Sequence, residues 1–375
     1  MHEVIVIGGG ILGSFAAYFL ARSGRRVALI ERGDPGGRAS GANPGGLNPF
    51  HGPGLPGPLS PLAERSFALH LEHWERIGEL SGMAFHAHRV SRVELAWDAT
   101  ERQALVDAAR HYNVLPGFSA RWMEPCELLQ RSPRIHSGVV GGLWTEGNGM
   151  VSSLDYTRAV ARAAEVLGAT LIRGEVAGLV TEGRRVTGVA TRDGTLPCDA
   201  VLLATGAWMA DAAAWLGVAI PVTPLKGELL LVEMPGGRLD HHLTWKTTGV
   251  YQTPQGPVWL GGTQELVGFD EQPTVAGREA ILRAAARLVP EAGRARVVHH
   301  VAALRPMSPD GLPLLGQMHR WDNAFLAGGA GQKGMLLSAG MGESAARLMA
   351  GESSGISMDL FRPDRFASAS TTGRP

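Results

Sequence analysis

The chain has 375 residues, 45% of them apolar and 19% charged, and its 35 Lys and Arg residues balance 35 Asp and Glu residues. That length suits two domains, and zero net charge gives no reason to expect nucleic acid or an anionic membrane as a partner. Cys126 and Cys198 make no C-x-x-C or zinc pattern and exclude a disulfide framework. With no signal peptide and no run of about 18 apolar residues, the expectation is a cytoplasmic protein without a membrane span.

Residues 3–7, Glu-Val-Ile-Val-Ile, are a short apolar run suited to a central parallel strand, and Gly8, Gly10 and Gly13 follow as G-x-G-x-x-G. Residues 11–22 read as an amphipathic helix ended by Ser23-Gly24, residues 26–30 make a second strand, and Glu31 closes it. Gly8 permits the tight turn, Gly10 lets a pyrophosphate approach the backbone, and Gly13 lets the helix lie close on the sheet. The helix start offers unpaired N–H groups and a positive dipole end. Glu31, about twenty residues past the glycines, stands where a carboxylate accepts hydrogen bonds from ribose hydroxyls. A glycine triplet alone is weak evidence; strand, glycines, helix, strand and acid in order point to a dinucleotide site.

Residues 33–58 are rich in Gly, Pro, Ser and Asn, and so long a loop directly after Glu31 is read as functional. Residues 59–80 return to helical periodicity, most simply for packing. A strand at 90–96, a helix at 100–112, a short capped helix at 123–129 and a glycine-rich hairpin at 138–151 come next. A helix at 153–167, well supplied with capping residues, precedes strands at 169–176 and 186–192. The buried strand at 200–208 runs into a glycine turn and is placed back with the first strands. After Pro221 come strands at 227–233, 249–253 and 258–262, a helix at 275–288 and a strand at 295–304. Residues 323–331 run into a last helix at 334–349.

Strand–helix segments at both ends and the middle, with antiparallel-looking material between, predict two interleaved domains of an α/β (α+β overall) fold. A Rossmann-like nucleotide-binding domain takes 1–84, 152–218 and 306–352; a mainly antiparallel substrate domain takes 85–151 and 219–305. Residues 353–375 form a tail, expected to be disordered beyond Phe366. The 51 glycines gather at 8–10, 36–46 and 328–334, which suggests backbone approaching a ligand several times and not a repeat.

Four blocks carry a family resemblance: residues 4–32; residues 36–47, Gly-Gly-Arg-Ala-Ser-Gly-Ala-Asn-Pro-Gly-Gly-Leu; residues 199–208 with Ala-Thr-Gly-Ala-Trp; and Leu-Arg-Pro-Met-Ser-Pro-Asp-Gly-Leu-Pro-Leu-Leu-Gly at 304–316, continuing through 337. Together they resemble the D-amino-acid oxidase superfamily of FAD enzymes, in particular the glycine oxidase and sarcosine oxidase branch. The Leu-Arg-Pro-x-x-x-Asp-Gly-x-Pro block is the most specific of the four.

The resemblance implies noncovalent FAD. Ile11 and Leu12 would meet its pyrophosphate, Glu31 and Arg32 the adenosine ribose, and Ala39 and Ser40 the phosphates again. Pro44, Gly45 and Gly46 would line the flavin ring, the Val176 backbone would contact adenine, and Gly206 belongs to the third block. Ala330, Gly331, Gln332, Lys333, Gly334, Met335 and Leu336 would lay a helix start against the pyrimidine end of the flavin, where a positive dipole end stabilises the charge of the reduced ring. Arg305 would hold the substrate carboxylate through two parallel hydrogen bonds, with a structural salt bridge as its plain alternative. Tyr251 would donate a further bond to the same carboxylate.

The implied reaction passes a hydride from the substrate Cα to FAD, giving an imine that hydrolyses to an oxo acid and ammonia or amine, with dioxygen or another acceptor reoxidising the flavin. No general base is evident. Gln332 stands where glycine oxidases often carry a second arginine, and Gly249 where they carry a histidine, which leaves the substrate open. Neither cysteine is near the Arg305 block, as covalent attachment would need, and Trp259 stands where sarcosine oxidases place an oxygen-activating lysine. The electron acceptor therefore stays open, and a homo-oligomer is compatible with the family.

The pairs His241-His242 and His299-His300 would point to opposite faces of their strands and share no metal. His51 reads as a solvated loop residue; Lys333, more than Lys226, is a candidate to approach the flavin. Two other readings compete with amine oxidation. A tRNA-modifying flavoenzyme that removes a carboxymethyl group from a wobble base needs a basic surface or a fused methyltransferase, and this chain has neither. A noncatalytic flavin-binding subunit of a complex is the other.

Overall fold

Val4, Ile5, Val6 and Ile7 are all buried, so both faces of their strand need cover, as in the middle of a parallel sheet. The computed structural model describes residues 2–370. In it His2–Ile7 pairs in parallel with Val27–Glu31 on one side and Gly194–Leu203 on the other. Thr170–Arg173 and Ala324–Gly328 extend the parallel array, and Leu314–Gln317 closes one edge antiparallel. The strands Val176–Glu182 and Arg185–Thr191 continue as an antiparallel ribbon from the start of Gly194–Leu203.

One face of this sheet is covered by the helices Ile11–Arg22, Ser60–Ser81, Ser153–Val166 and Gly334–Met349, which share a core around Phe15, Tyr18, Leu62, Tyr156 and Leu337. The other face packs on Val186, Val189, Met209 and Leu216. The Ile11–Arg22 helix, expected to be amphipathic, buries nearly every residue because three other helices surround it. Within that core His70 is driven by burial down to about 4, so its ring is neutral. Its Nε2 lies 3.0 Å from the carbonyls of Met335 and Leu336, and Nδ1 lies 3.0 Å from the Tyr156 hydroxyl. A carbonyl needs a donor, so the proton sits on Nε2. The Ser66 hydroxyl donates to Leu336 at 2.6 Å. The start of the last helix is thereby pinned from outside its own element.

The second sheet has nine strands, in the order Arg296–Met307, Thr223–Glu233, Val258–Gly261, Thr248–Gln252, His242–Trp245, Ala87–Ala96, Gly141–Val151, Gly46–Leu47, with Ser119–Met123 paired beside Gly141–Val151. Its far face packs on the helix Val275–Ala286 and a core around Val93, Leu230, Leu243 and Leu260. We propose the interleaved domains at the boundaries given above. Gly46–Leu47 joins the second sheet from within the 1–84 segment, and Arg296–Met307 runs two residues past 305.

Four local expectations change. Residues 138–151 are not a hairpin: Gly141–Val151 is one long strand paired on both sides. Its glycines permit close approach, since a Cβ on Gly142 would sit 2.7 Å from Val93 and one on Gly149 3.3 Å from Leu47. Residues 169–176 are two elements, because the chain leaves the sheet at Gly174, whose N–H donates to the Glu31 carbonyl at 2.9 Å. The short strands Ser119–Met123, His242–Trp245 and Leu314–Gln317 escaped detection because none has a clear run of alternating apolar residues. In the tail, Pro363–Ser370 is a 3₁₀ helix, and the rest of the expected disorder lies outside the described residues. Among the described residues no helix is long and apolar enough to cross a membrane.

Candidate active site

The carboxyl ends of three parallel strands leave a crevice, the usual ligand position in an open α/β sheet. Here it deepens into a cavity of about 630 Å³, because one face of the second sheet stands opposite. Gly8, Thr205, Gly206 and Gly328 lie at the strand ends; Arg92, Glu94, Gly227, Tyr251, Gly261 and Arg305 come from the facing sheet.

The glycine turn is close-packed. Gly8 has φ +109°, and a Cβ there would overlap the Ala204 carbonyl; a Cβ on Gly13 would overlap the Gly8 carbonyl. Gly13 therefore works behind the cavity wall. The Glu31 carboxylate accepts from the N–H groups of Gly9 at 2.7 Å and Gly33 at 2.9 Å, which fixes it at the cavity edge with lone pairs to spare. The Ile11 N–H donates to the Ser40 hydroxyl at 3.0 Å, joining the long loop to the helix start.

That loop is ordered by Asn43. Its Nδ2 donates to the carbonyls of Ala39 at 3.0 Å and Ser40 at 2.8 Å, while Oδ1 accepts from Gly45 N–H and the Ser153 hydroxyl, each at 2.9 Å. At the loop's outer end Arg32 lies 4.2 Å from the centre of the Trp208 ring, a cation–π contact.

Of the residues expected at the site, Gly8, Gly10, Ile11, Leu12, Glu31, Arg32, Ala39, Ser40, Pro44, Gly46, Gly206, Tyr251 and Arg305 line this one cavity, as do Ala330 through Met335. Gly13, Gly45, Val176 and Leu336 are not on its wall. Gly45 has φ +87° and abuts the Val151 carbonyl, and Val176 packs into the core beneath the first sheet. Trp259 faces a separate cavity beside His299, whereas Gly261, two residues on, faces this one. Lys226 points away, buried with Asp270 at 3.0 Å and Glu228 at 3.5 Å, while its neighbour Gly227 is on the wall.

Arg305 is the centre of the facing wall. Its guanidinium occupies the space over Gly227 that a Cβ would take, and Nη1 donates to the Thr263 carbonyl at 3.1 Å. Among the described residues no carboxylate lies within ion-pair distance of it, so the salt-bridge alternative has no partner. Burial lowers its affinity for a proton, with Tyr251 opposing. The Tyr251 ring folds over Gly249, where a Cβ would overlap the ring, and burial holds its hydroxyl protonated above the usual phenol range. Gly249→Ala is expected to swing Tyr251 aside. If Tyr251 contributes one hydrogen bond to a charged group, the substrate KM should rise by a factor of about 10–100, read by steady-state kinetics; an unchanged KM would remove Tyr251 from substrate binding.

Sequence reasoning missed a second charged group on the same wall. Arg92 donates to Glu94 at 2.5 Å and to the Thr244 hydroxyl at 2.8 Å, and Glu94 also meets His51 Nδ1 at 2.8 Å. Lys333 reaches across to donate to the His51 carbonyl. Burial and Arg92 push Lys333 down to about 7, and burial holds His51 at about 4. Burial opposes ionisation of Glu94, but Arg92, His51 and Lys333 outweigh it and bring the carboxyl to about 2. The available signal was Arg92 and Glu94 two apart on one strand, sharing a face while Val93 and Leu95 point into the core.

The fold and its cavity define an enzyme built around a dinucleotide. The chain belongs to the DAO family: the model described as FAD dependent oxidoreductase matches residues 3–348. It is similar to a glycine oxidase of Geobacillus kaustophilus, 32% identical over 350 residues and 90% of each chain. It is 31% identical over 363 residues to a glycine oxidase of Pseudomonas aeruginosa, covering 93% of this chain and 95% of that one. Among solved structures, glycine oxidase from Geobacillus kaustophilus superposes with a TM-score of 0.91 at 29% identity, covering 97% and 98% of the two chains.

FAD is the cofactor of this family, and the cavity fits it. Added Cβ atoms on Gly46, Gly206 and Gly334 would meet no protein atom within 4 Å, so bare backbone faces the space. On the same wall the buried Thr205 hydroxyl has no hydrogen-bond partner among the described residues, which suits a polar ligand. Cys126 is exposed and Cys198 buried, and neither lines the cavity.

Proposed function

We propose that this chain oxidises the C–N bond of a small amino acid or secondary amine, with Arg305 holding the substrate carboxylate. The observation that carries the reading is a half-buried guanidinium with no acid partner among the described residues, set in the wall facing a nucleotide cradle. Bound FAD supplies the two-electron acceptor that turns the C–N single bond into an imine, which water hydrolyses to an oxo acid and ammonia or amine.

The chain's own residues position the substrate. Arg305 offers a planar pair of donors, and a carboxylate held that way has one orientation. Thr263 keeps the guanidinium from rotating, and Gly227 leaves it room. The protonated Tyr251 hydroxyl donates to the same carboxylate. Glu31, Ser40, Asn43 and the turn from Gly8 to Gly13 would hold the cofactor's adenosine and phosphate end, and the pinned start of the Gly334–Met349 helix would hold the flavin end.

Glycine oxidases among the relatives support the amine chemistry. A balanced charge of 35 against 35 gives no support to a tRNA substrate. The test is anaerobic mixing of FAD-loaded protein with glycine, sarcosine, D-amino acids, L-proline and 2-hydroxy acids. Bleaching of the flavin by at least one amine is expected, and readmitted air then reports whether dioxygen is the acceptor. Bleaching by none of them would favour the noncatalytic reading.

A further inference from the structure

The part of the cavity around Tyr251 gathers more positive charge than one carboxylate can neutralise. Arg305, Arg92 and Lys333 are three cations, Glu94 is the one acid among them, and all four line the cavity, so the balance is three minus one, or two positive charges. Glu94 is already engaged by Arg92 and His51. Among the described residues Lys333 has no carboxylate within 4 Å, and it donates to a backbone carbonyl, that of His51. The groups also have an order. Along the second sheet the strand of Tyr251 lies between that of Arg305 and that of Arg92, and Lys333 is tied to the Arg92 side through His51 and Glu94. The phenol thus stands between Arg305 at one pole and the Arg92–Lys333 pair at the other. Gly249 lets the ring lie flat against its strand and keeps the space between the poles open.

We infer that Lys333 and Arg92 form a second anion subsite across Tyr251 from Arg305, so that the preferred substrate is an amino or imino acid bearing two carboxylates. The inference rests on the amine-oxidising reading of the same cavity. Arg305 takes the carboxylate beside the reacting carbon; the second carboxylate, on the nitrogen substituent or on the side chain, completes the charge balance. Glu94 sets a limit on the subsite, since it repels an anion placed too far toward His51.

The subsite has a pH signature. Facing Lys333 are Arg92 and Glu94 from the Ala87–Ala96 strand and His51 from the long loop. Glu94 at about 2 stays ionised near neutrality and His51 at about 4 stays neutral. Tyr251 stays protonated and Arg305 keeps its charge, as a guanidinium does throughout this range, leaving Lys333, at about 7, to change charge. A bound carboxylate favours the ammonium and raises that value. The preference for a second carboxylate is therefore full below neutrality and lost as pH rises through the value in the complex.

The decisive experiment uses FAD-loaded enzyme and unreactive acids, read by perturbation of the flavin absorbance, so no turnover is needed. Malonate, succinate and glutarate are compared with acetate. At least one diacid is expected to bind roughly tenfold or more tightly than acetate near pH 6.5, with the ratio collapsing in alkaline buffer. Lys333→Met should abolish the ratio and Lys333→Arg should retain it without its pH dependence. Anaerobic bleaching by iminodiacetate against D- and L-aspartate and glutamate then tells which arm carries the second carboxylate. Wild-type enzyme that binds every diacid no better than acetate overturns the subsite without needing any variant to fold. So does a Lys333→Met enzyme whose flavin spectrum shifts while the ratio survives, which would assign the lysine to the cofactor. If glycine bleaches the flavin but the diacids gain nothing, the subsite falls and amine oxidation stands. If the diacids bind tightly and no amine bleaches, the subsite stands and the oxidative reading falls.

Discussion

Arg305→Ala is expected to lower kcat/KM by a factor of about 30 to 4,000 while the protein stays yellow. Removing one member of a buried, hydrogen-bonded charge pair costs about 2–5 kcal/mol, and each 1.4 kcal/mol is a factor of ten. Among the described residues the guanidinium bonds only the Thr263 carbonyl and pairs with no acid, so truncation strands no carboxylate there. The loss should therefore fall on substrate and leave folding nearly untouched. Anaerobic stopped-flow bleaching measures the effect, and the flavin absorbance of the desalted protein checks retention. Arg305→Lys should recover part of the affinity but not the orientation, because a point charge lacks the paired donors. A variant that bleaches at the wild-type rate would remove Arg305 from the reaction.

Gly13→Ala is expected to act at the opposite wall and with the opposite signature. A methyl group there would overlap the Gly8 carbonyl, and Gly8 is itself held by φ +109° and the Ala204 carbonyl. None of these atoms is the free end of a side chain, so the helix Ile11–Arg22 must move off the turn. Overpacking of this kind costs about 1–3 kcal/mol, sometimes more. Differential scanning calorimetry should record a fall of several degrees, at roughly 2–4 °C per kcal/mol for a large domain. The displaced helix start should also shed FAD on desalting, which Arg305→Ala should not. Gly178→Ala, where an added Cβ meets nothing within 4 Å, is the matched control. If Gly13→Ala retained FAD with an unchanged melting point, the close packing inferred at the turn would be wrong.

The two walls of the cavity differed in how much of them could be read in advance. The cradle is local: strand, turn, helix and Glu31 are bonded within thirty-odd neighbouring residues, and Gly9 and Gly33 meet the same carboxylate. Arg305 was found through the block around it, and the space it occupies was not, since Gly227 lies on another strand and Gly262 just past the end of a third. The glycines of 138–151 misled, because a residue without a side chain signals a turn and a tight strand crossing equally well. His51 was read as solvated, yet its ring sits against Glu94 and its carbonyl receives Lys333. Nothing in a loop histidine's neighbours along the chain announces a strand some forty residues on.

What the amino-acid order determined by itself was the nucleotide-binding half and the family: a motif whose parts contact one another within a single βαβ unit keeps its meaning when read as a string. What only the tertiary structure decided was the far end of the cavity, where residues 51, 92, 94, 251, 305 and 333 converge from five separate segments. Their charges acquire meaning through distance and burial, and both are set by how the two sheets close on each other. A lone lysine in the sequence is a surface residue by default; in the fold Lys333 lines an enclosed cavity with Arg92 and pairs with no acid among the described residues.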